Sequence, residues 1–286
     1  MKDVDFLKIQ EHALEVRESY KQQDTKSKIN ILNLGKPGTG KTRLAVTCPK
    51  PVHIDCFDRG GTRTAELQPF IASGAIIVDN SFENDSWKEP RAFRLWEKKL
   101  KIRRDLGYFD YIGTYMLDSL TTFANSMMYA ILMKGGDKRG SRTGQLPEQQ
   151  DYHLQQYTLV DYLDVLMQLP CNVIANGHVV LIEDNVSGRL ETGILLAGKA
   201  SDKVPPAFDE KYISRCISED KYVLQTRSDG KWHAETRIGG GGIFEHHEEQ
   251  NLYKLLKKAG YPAEDKPLLS ELAAKAKQTI TQGETK

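Results

Sequence analysis

Lys41 and Thr42 close the segment GKPGTGKT, Gly35 to Thr42, which follows the apolar run KINILNL and precedes RLAVT. This is the spacing GxxxxGK[ST] in the strand-to-helix setting that the pattern requires. Its chemistry is that of phosphate. Glycines let the backbone wrap a polyphosphate closely, so that several N–H groups and the positive end of the next helix face the anion. Gly35, Lys36, Pro37, Gly38, Thr39, Gly40, Lys41, Thr42 and Arg43 are the candidate nucleotide-binding residues. Lys41 would reach the β and γ phosphates of ATP and Thr42 would offer its hydroxyl to Mg2+. The alternative is a glycine turn without ligand, a match expected by chance on the order of once in a hundred chains of this length.

Such a loop needs a second carboxylate at the end of a neighbouring buried strand. Asp118, in YMLDS, fits as the metal residue, and it also suits a helix N-cap. Hydrolysis further needs a group to orient or deprotonate water. VHIDCFDRGG offers Asp55 and Asp58; Asp58, followed by Arg59-Gly60-Gly61, is better placed, and Asp55 suits a strand cap. His178 ends the run NVIANGH, where it would sense the γ-phosphate, in competition with Asn176 and with a purely structural role.

The elements that must position these groups follow from periodicity. A helix is expected over 3–22, with Val4, Leu7, His12, Val16 and Tyr20 along one side. Strands are expected at 28–34, VHID, 75–79, 111–120 and 171–178, and helices at 41–47, 86–106, 120–133 and 148–168. Pro49 and Pro51 must stop the helix after the glycine loop. Strands alternating with helices indicate an α/β fold with a mostly parallel sheet and helices on both faces. Two antiparallel hairpins are expected towards the C-terminus, turning at Ser187-Gly188 and at Asp229-Gly230. Then come a flexible GGGG joint at 239–242, a helix at 247–259 and a frayed tail. The organisation expected is an N-terminal helix in 1–26, a core in 27–242, and a C-terminal helix and tail in 243–286.

The 286 residues carry a net charge of +1, so bulk electrostatics does not announce nucleic acid and any contact must come from local patches. KGGDKRGSRTG, Lys134 to Gly144, is a glycine-broken basic loop suited to phosphates, through Lys134, Lys138, Arg139 and Arg142. Basic residues in Lys88 to Asp105 read more simply as the exposed side of an amphipathic helix. The four cysteines show no CxxC spacing, which speaks against a zinc knuckle or disulfide framework and for a reducing cytoplasm. No apolar stretch approaches the roughly 20 residues of a membrane span, and MKDVDFLKIQEH is too charged for a signal peptide. A soluble cytoplasmic protein without a membrane partner is expected.

NLGKPGTGKTRLAVTCPKPVHIDCFD, YIGTYMLDSLTTF, NVIANGHV and KWHAETRIGG together resemble the RecA-like P-loop ATPases of phages, whose studied members act in single-strand annealing during recombination. The likeness spans about 28–242. It implies a RecA-like core, Mg-ATP held between the subunits of a homo-oligomeric ring or filament, and single-stranded DNA on mobile loops, with a single-strand binding protein as a possible partner. It places the phosphate role on Gly38, Gly40, Lys41 and Thr42 and the metal role on Asp118. A glutamate common two residues after the second-strand aspartate is replaced here by Phe57, which leaves the water to Asp58 and implies slow hydrolysis. Arg237, or else Arg227, matches the basic residue that reaches a neighbour's γ-phosphate. A second DNA loop would run from Asp184 to Pro206, with Arg189, Lys199 and Lys203. Competing readings are a nucleotide-switched helicase loader or assembly ATPase and a small-molecule phosphotransferase.

Overall fold

The computed structural model describes residues 6–22, 27–134, 140–183, 190–219 and 221–283. Helix α1 (Phe6–Gln22) leads, with Phe6, Leu7, Ile9, Leu14, Val16 and Tyr20 all exposed. There follow β1 (Asn30–Leu34), β2 (Val52–Cys56), α2 (Gln68–Ser73), β3 (Ile76–Asp79), α3 (Ala92–Asp105), β4 (Thr114–Asp118), α4 (Leu120–Lys134), α5 (Gln149–Met167) and β5 (Asn172–Gly177). The last third holds β6 (Val179–Glu183), β7 (Leu190–Ile194), α6 (Ala200–Lys203), β8 (Glu210–Ser218), β9 (Lys221–Gln225), β10 (His247–Glu249), α7 (Leu252–Ala259) and α8 (Leu269–Gly283).

One eight-stranded sheet runs in the order β10-β9-β8-β1-β5-β4-β2-β3. The six strands from β8 to β3 are parallel, and β9 and β10 add antiparallel to the β8 edge. This is the α/β class the sequence announces. Strands buried on both faces read as near-continuous apolar runs, and residues of β1 accordingly divide between two cores. Leu32 and Leu34 join Tyr115, Leu117, Trp96, Phe123 and Leu163 under α3, α4 and α5, whereas Ile31 joins Leu44, Ile54, Met116, Leu255 and Leu256 under α7 and the segment after the glycine loop.

Several expectations are corrected. The short helix expected after the loop is present, and its type is 3-10, over Thr42–Thr47. Besides the prolines, the Lys50 ammonium ends it by donating to the carbonyls of Ala45, Val46 and Cys48 at 2.7, 2.9 and 2.7 Å. The first late hairpin exists as the β6–β7 ribbon, with Ser187 and Gly188 outside the described residues. The second forms differently: β9 pairs with β8, a strand the sequence reading missed, and the arm after Asp229-Gly230 makes only the isolated bridges of Trp232 and Glu235. Residues beyond 242 also belong to the sheet and its cover, because β10 pairs with β9 and α7 packs on the core. The expected frayed tail is helical in α8. None of the described helices is long and apolar enough to cross a membrane.

Candidate nucleotide site

The C-terminal ends of β1, β5, β4 and β2 meet along one edge of the sheet. Their register aligns Asn33 with Asn176, Asn176 with Asp118, and Asp118 with Cys56. The alignment becomes a buried relay of hydrogen bonds. Gln250 Nε2 donates to Ser214 Oγ (3.0 Å), Ser214 Oγ to Asn33 Oδ1 (2.6 Å), Asn33 Nδ2 to Asn176 Oδ1 (2.8 Å), and Asn176 Nδ2 to Asp118 Oδ1 (3.1 Å). The Thr42 hydroxyl completes it on Asp118 Oδ2 at 2.6 Å. Each of the five other side chains is 2% exposed or less, so every link fixes the next in a medium where a missing partner is costly. Asn176, weighed as a sensor, thus serves as the anchor of Asp118.

The glycine loop lies over this edge. Gly38 and Gly40 have φ of 77° and 81°, the left-handed region that L side chains avoid. A Cβ on Gly40 would stand 2.4 Å from Gln250 Oε1 and 2.9 Å from the Tyr222 ring. The Lys41 ammonium rests on the loop's own carbonyls, Gly35 O at 3.0 Å and Lys36 O at 2.9 Å. Burial pulls the Lys41 pKa below the ordinary lysine value, against the charges of Asp118 and Asp58. Between loop and strand ends opens a cleft of about 540 Å3, lined among others by Gly38, Lys41, Thr42, Arg43, Asp58, Asp118, His178 and Tyr222.

Residues 27–238 match the family model described as AAA domain. The chain belongs to the AAA domain family. It is thus a P-loop ATPase domain. Comparison with curated proteins returns no match. Among solved structures the chain is similar to a KaiC-like protein of the hyperthermophilic archaeon Pyrococcus horikoshii OT3, at 11% identity, over 73% of this chain and 83% of that one, with a TM-score of 0.39.

In this AAA domain the two carboxylates of the second strand region part company. Asp58 lines the cleft, its Oδ1 accepting from Ser119 Oγ (2.9 Å) and from Thr122 Oγ1, its Oδ2 3.0 Å from His178 Nε2. Burial raises the Asp58 pKa, but the bonds from His178, Thr122 and Ser119 outweigh it and hold the carboxyl below its ordinary value. Asp55 is instead fully buried beneath α3, bonded by His53 Nε2 (3.0 Å), Trp96 Nε1 (2.9 Å), Tyr115 OH (2.8 Å) and Arg103 Nη1 (2.8 Å). It neither reaches the cleft nor serves as a simple strand cap. Asp118 behaves oppositely to Asp58: burial, reinforced by the Asp58 charge, raises its pKa despite the bonds from Thr42 and Asn176.

A hydroxyl already seated on a buried carboxylate, beside a second carboxylate, suits a hard divalent cation that brings its other oxygens from water and phosphates. Among the described residues no group of three or more His, Cys, Asp or Glu could hold a metal by itself. Thr42 and Asp118 therefore fit Mg2+ arriving with a nucleotide.

The remaining described candidates do not line the cleft. Arg142 is not a free loop cation: it is 8% exposed and ion-paired with Asp151 and, at 3.4 Å, with Glu148 at the start of α5. Lys134, Lys199 and Lys203 are exposed, the last with its ammonium 5.1 Å from the Tyr157 ring centroid. Lys138, Arg139 and Arg189 lie outside the described residues. The Arg237 side chain is 68% exposed, 3.8 Å from Asp209, and does not line the cleft of its own chain. Arg227 is spent on the Phe244 carbonyl at 2.7 Å. Sequence reasoning missed Tyr222, Gln250, Ser214 and Thr122, which no local motif announces, whereas Ser119 was noted beside Asp118.

Proposed function

We propose that this chain binds Mg-ATP in the cleft, hydrolyses it slowly, and couples it to binding and annealing of single-stranded DNA as a homo-oligomer. The observation that carries the nucleotide reading is the Thr42 to Asp118 bond of 2.6 Å beside the Lys41 ammonium and the left-handed glycines. The DNA reading is supported by the phage-ATPase resemblance of residues 28–242 and by the exposed Lys134, Lys199 and Lys203.

On ATP arrival the Lys41 ammonium leaves the Gly35 and Lys36 carbonyls for phosphate oxygens, a charge-assisted exchange. Mg2+, when bound, would offset charge on the β and γ phosphates. Asp58, kept ionised by three donors, accepts a hydrogen bond from the attacking water and orients it. His178, bonded to Asp58, reports the state of that carboxylate to the β5 end. Arg237 of a neighbouring copy supplies the charge that favours the transition state, so turnover depends on assembly.

Calorimetry with ATP, with and without Mg2+, tests the nucleotide half, and hydrolysis with and without single-stranded DNA tests the other. Tight Mg-dependent uptake with DNA-stimulated turnover is expected. Absence of uptake refutes the whole reading, and nucleotide-driven assembly without any DNA effect replaces it with an assembly ATPase.

A further inference from the structure

A second cavity, of about 270 Å3, adjoins the nucleotide cleft, with Asp58 and Arg59 in the walls of both. Its floor is one side of α4: Thr122, Asn125, Ser126 and Tyr129 recur at i, i+3, i+4 and i+7 and so share a face. The neighbouring positions Leu120, Phe123 and Met127 are core, which makes this polar stripe a distinct feature of the helix. Ser126 is 1% exposed, yet its hydroxyl has no hydrogen-bond partner. Asp85, also in the lining, uses Oδ1 for the backbone N–H groups of Arg91 and Ala92 (2.9 and 3.2 Å) and leaves a buried Oδ2 unpartnered. Buried groups in this condition pay for desolvation without return unless a ligand answers them. Beside them Asn84 holds a φ of 63°, a conformation concentrated at ligand-contacting loops when a residue other than glycine adopts it.

The lining selects the ligand. Two carboxylates against one guanidinium disfavour phosphate, and Asp58, with both oxygens already bonded, does not offer a cation an open ligand set. What remains is a mixture of amide, hydroxyl and carboxylate groups, donors and acceptors together, with Tyr129 beside them. That chemistry suits a neutral planar heterocycle read on its hydrogen-bonding edge, and the volume falls below the roughly 300–1,000 Å3 of sites for drug-sized ligands. We propose that the cavity takes a single unstacked base of single-stranded DNA, and that its occupancy reaches the nucleotide site through Thr122, which lines the cavity while its hydroxyl donates to Asp58. The inference rests on the DNA-binding reading above and deepens it: phosphate contacts would supply most of the affinity, and one inserted base would license hydrolysis.

The test uses the full chain and measures ATP hydrolysis with oligo(dT), with an abasic oligonucleotide of equal length, and without DNA. The wild type is expected to respond to oligo(dT) with an apparent affinity about tenfold better than to the abasic strand. Ser126→Leu fills the cavity, and Asn125→Leu changes an exposed position whose replacement does not threaten folding. Both are expected to keep the DNA-free rate and Mg-ATP affinity while losing the preference for the strand with bases. If Ser126→Leu does not fold, Asn125→Leu decides alone. Equal responses to the two strands, or an unchanged preference in a folded variant, overturn the base site and leave DNA binding through phosphates intact. If the wild type neither binds oligo(dT) nor responds to it, the DNA-binding reading fails, and this inference with it.

Discussion

Replacing Asn176 by leucine removes the centre of the relay from Gln250 to Asp118 while filling similar space. It leaves two buried groups without their partner: the Asn33 amide, which donated to Asn176 Oδ1 at 2.8 Å, and the Asp118 carboxylate, which accepted from Nδ2 at 3.1 Å. An orphaned buried group costs about 1–3 kcal/mol, more when charged, so Asn176→Leu should lose about 2–6 kcal/mol of stability. The Asp118 pKa, already raised by burial, should rise further without this donor. A carboxyl whose folded pKa lies above its unfolded value contributes stability below the unfolded value and loses it as pH rises through the folded one. The penalty of Asn176→Leu should therefore be smaller in acid than at neutral pH, and the pH at which Mg-ATP binding sets in should move upward. Urea unfolding at several pH values, with the slope of the transition unchanged, and calorimetry with Mg-ATP across the same range measure both effects. A loss under about 0.5 kcal/mol, the size of an ordinary surface change, or one that is the same at every pH, refutes the relay as the support of Asp118.

Lys41→Met keeps the aliphatic stem and deletes the ammonium. ATP affinity should fall by about 10- to 100-fold, one or two charge-assisted bonds, as read by calorimetry on a variant with unchanged circular dichroism. Asp58→Asn should preserve Mg-ATP binding and lower single-turnover hydrolysis by about 10²- to 10⁴-fold; weakened binding with an unchanged rate would remove Asp58 from the chemistry. Changing Lys134, Lys199 and Lys203 together to Ala should weaken DNA binding and flatten its salt dependence by about one unit of slope per lost phosphate contact. Arg237→Ala should leave ATP affinity intact and reduce hydrolysis only under conditions where the wild type assembles, checked by turnover against protein concentration.

The glycine loop was legible because it is written in consecutive residues. A tight loop between strand and helix needs glycines at fixed offsets and a lysine and threonine at its end, and a carboxylate at a strand terminus is recognisable from the apolar run before it. Periodicity likewise revealed the parallel core, since strands buried on both faces advertise themselves. Reading Arg142 as a loop cation failed because the residues that decide its fate, Glu148 and Asp151, act by facing it across a turn. The second hairpin was misplaced because β9 has two available neighbours in sequence, and pairing with β8 buries Leu224 and Val223 where the later arm would not.

Local sequence thus determined the glycine-loop pattern, because its geometry is set by backbone conformation over eight residues. Only the tertiary structure decided how the Asp118 carboxylate is held. Asn33, Asp118, Asn176, Ser214 and Gln250 come from five separate segments, and nothing in the spacing of any one announces the others. They form one relay because crossover connections insert β5 between β1 and β4, place β8 on the other side of β1, and carry Gln250 back over the loop; strand neighbours in a parallel sheet are chosen by the packing of whole elements.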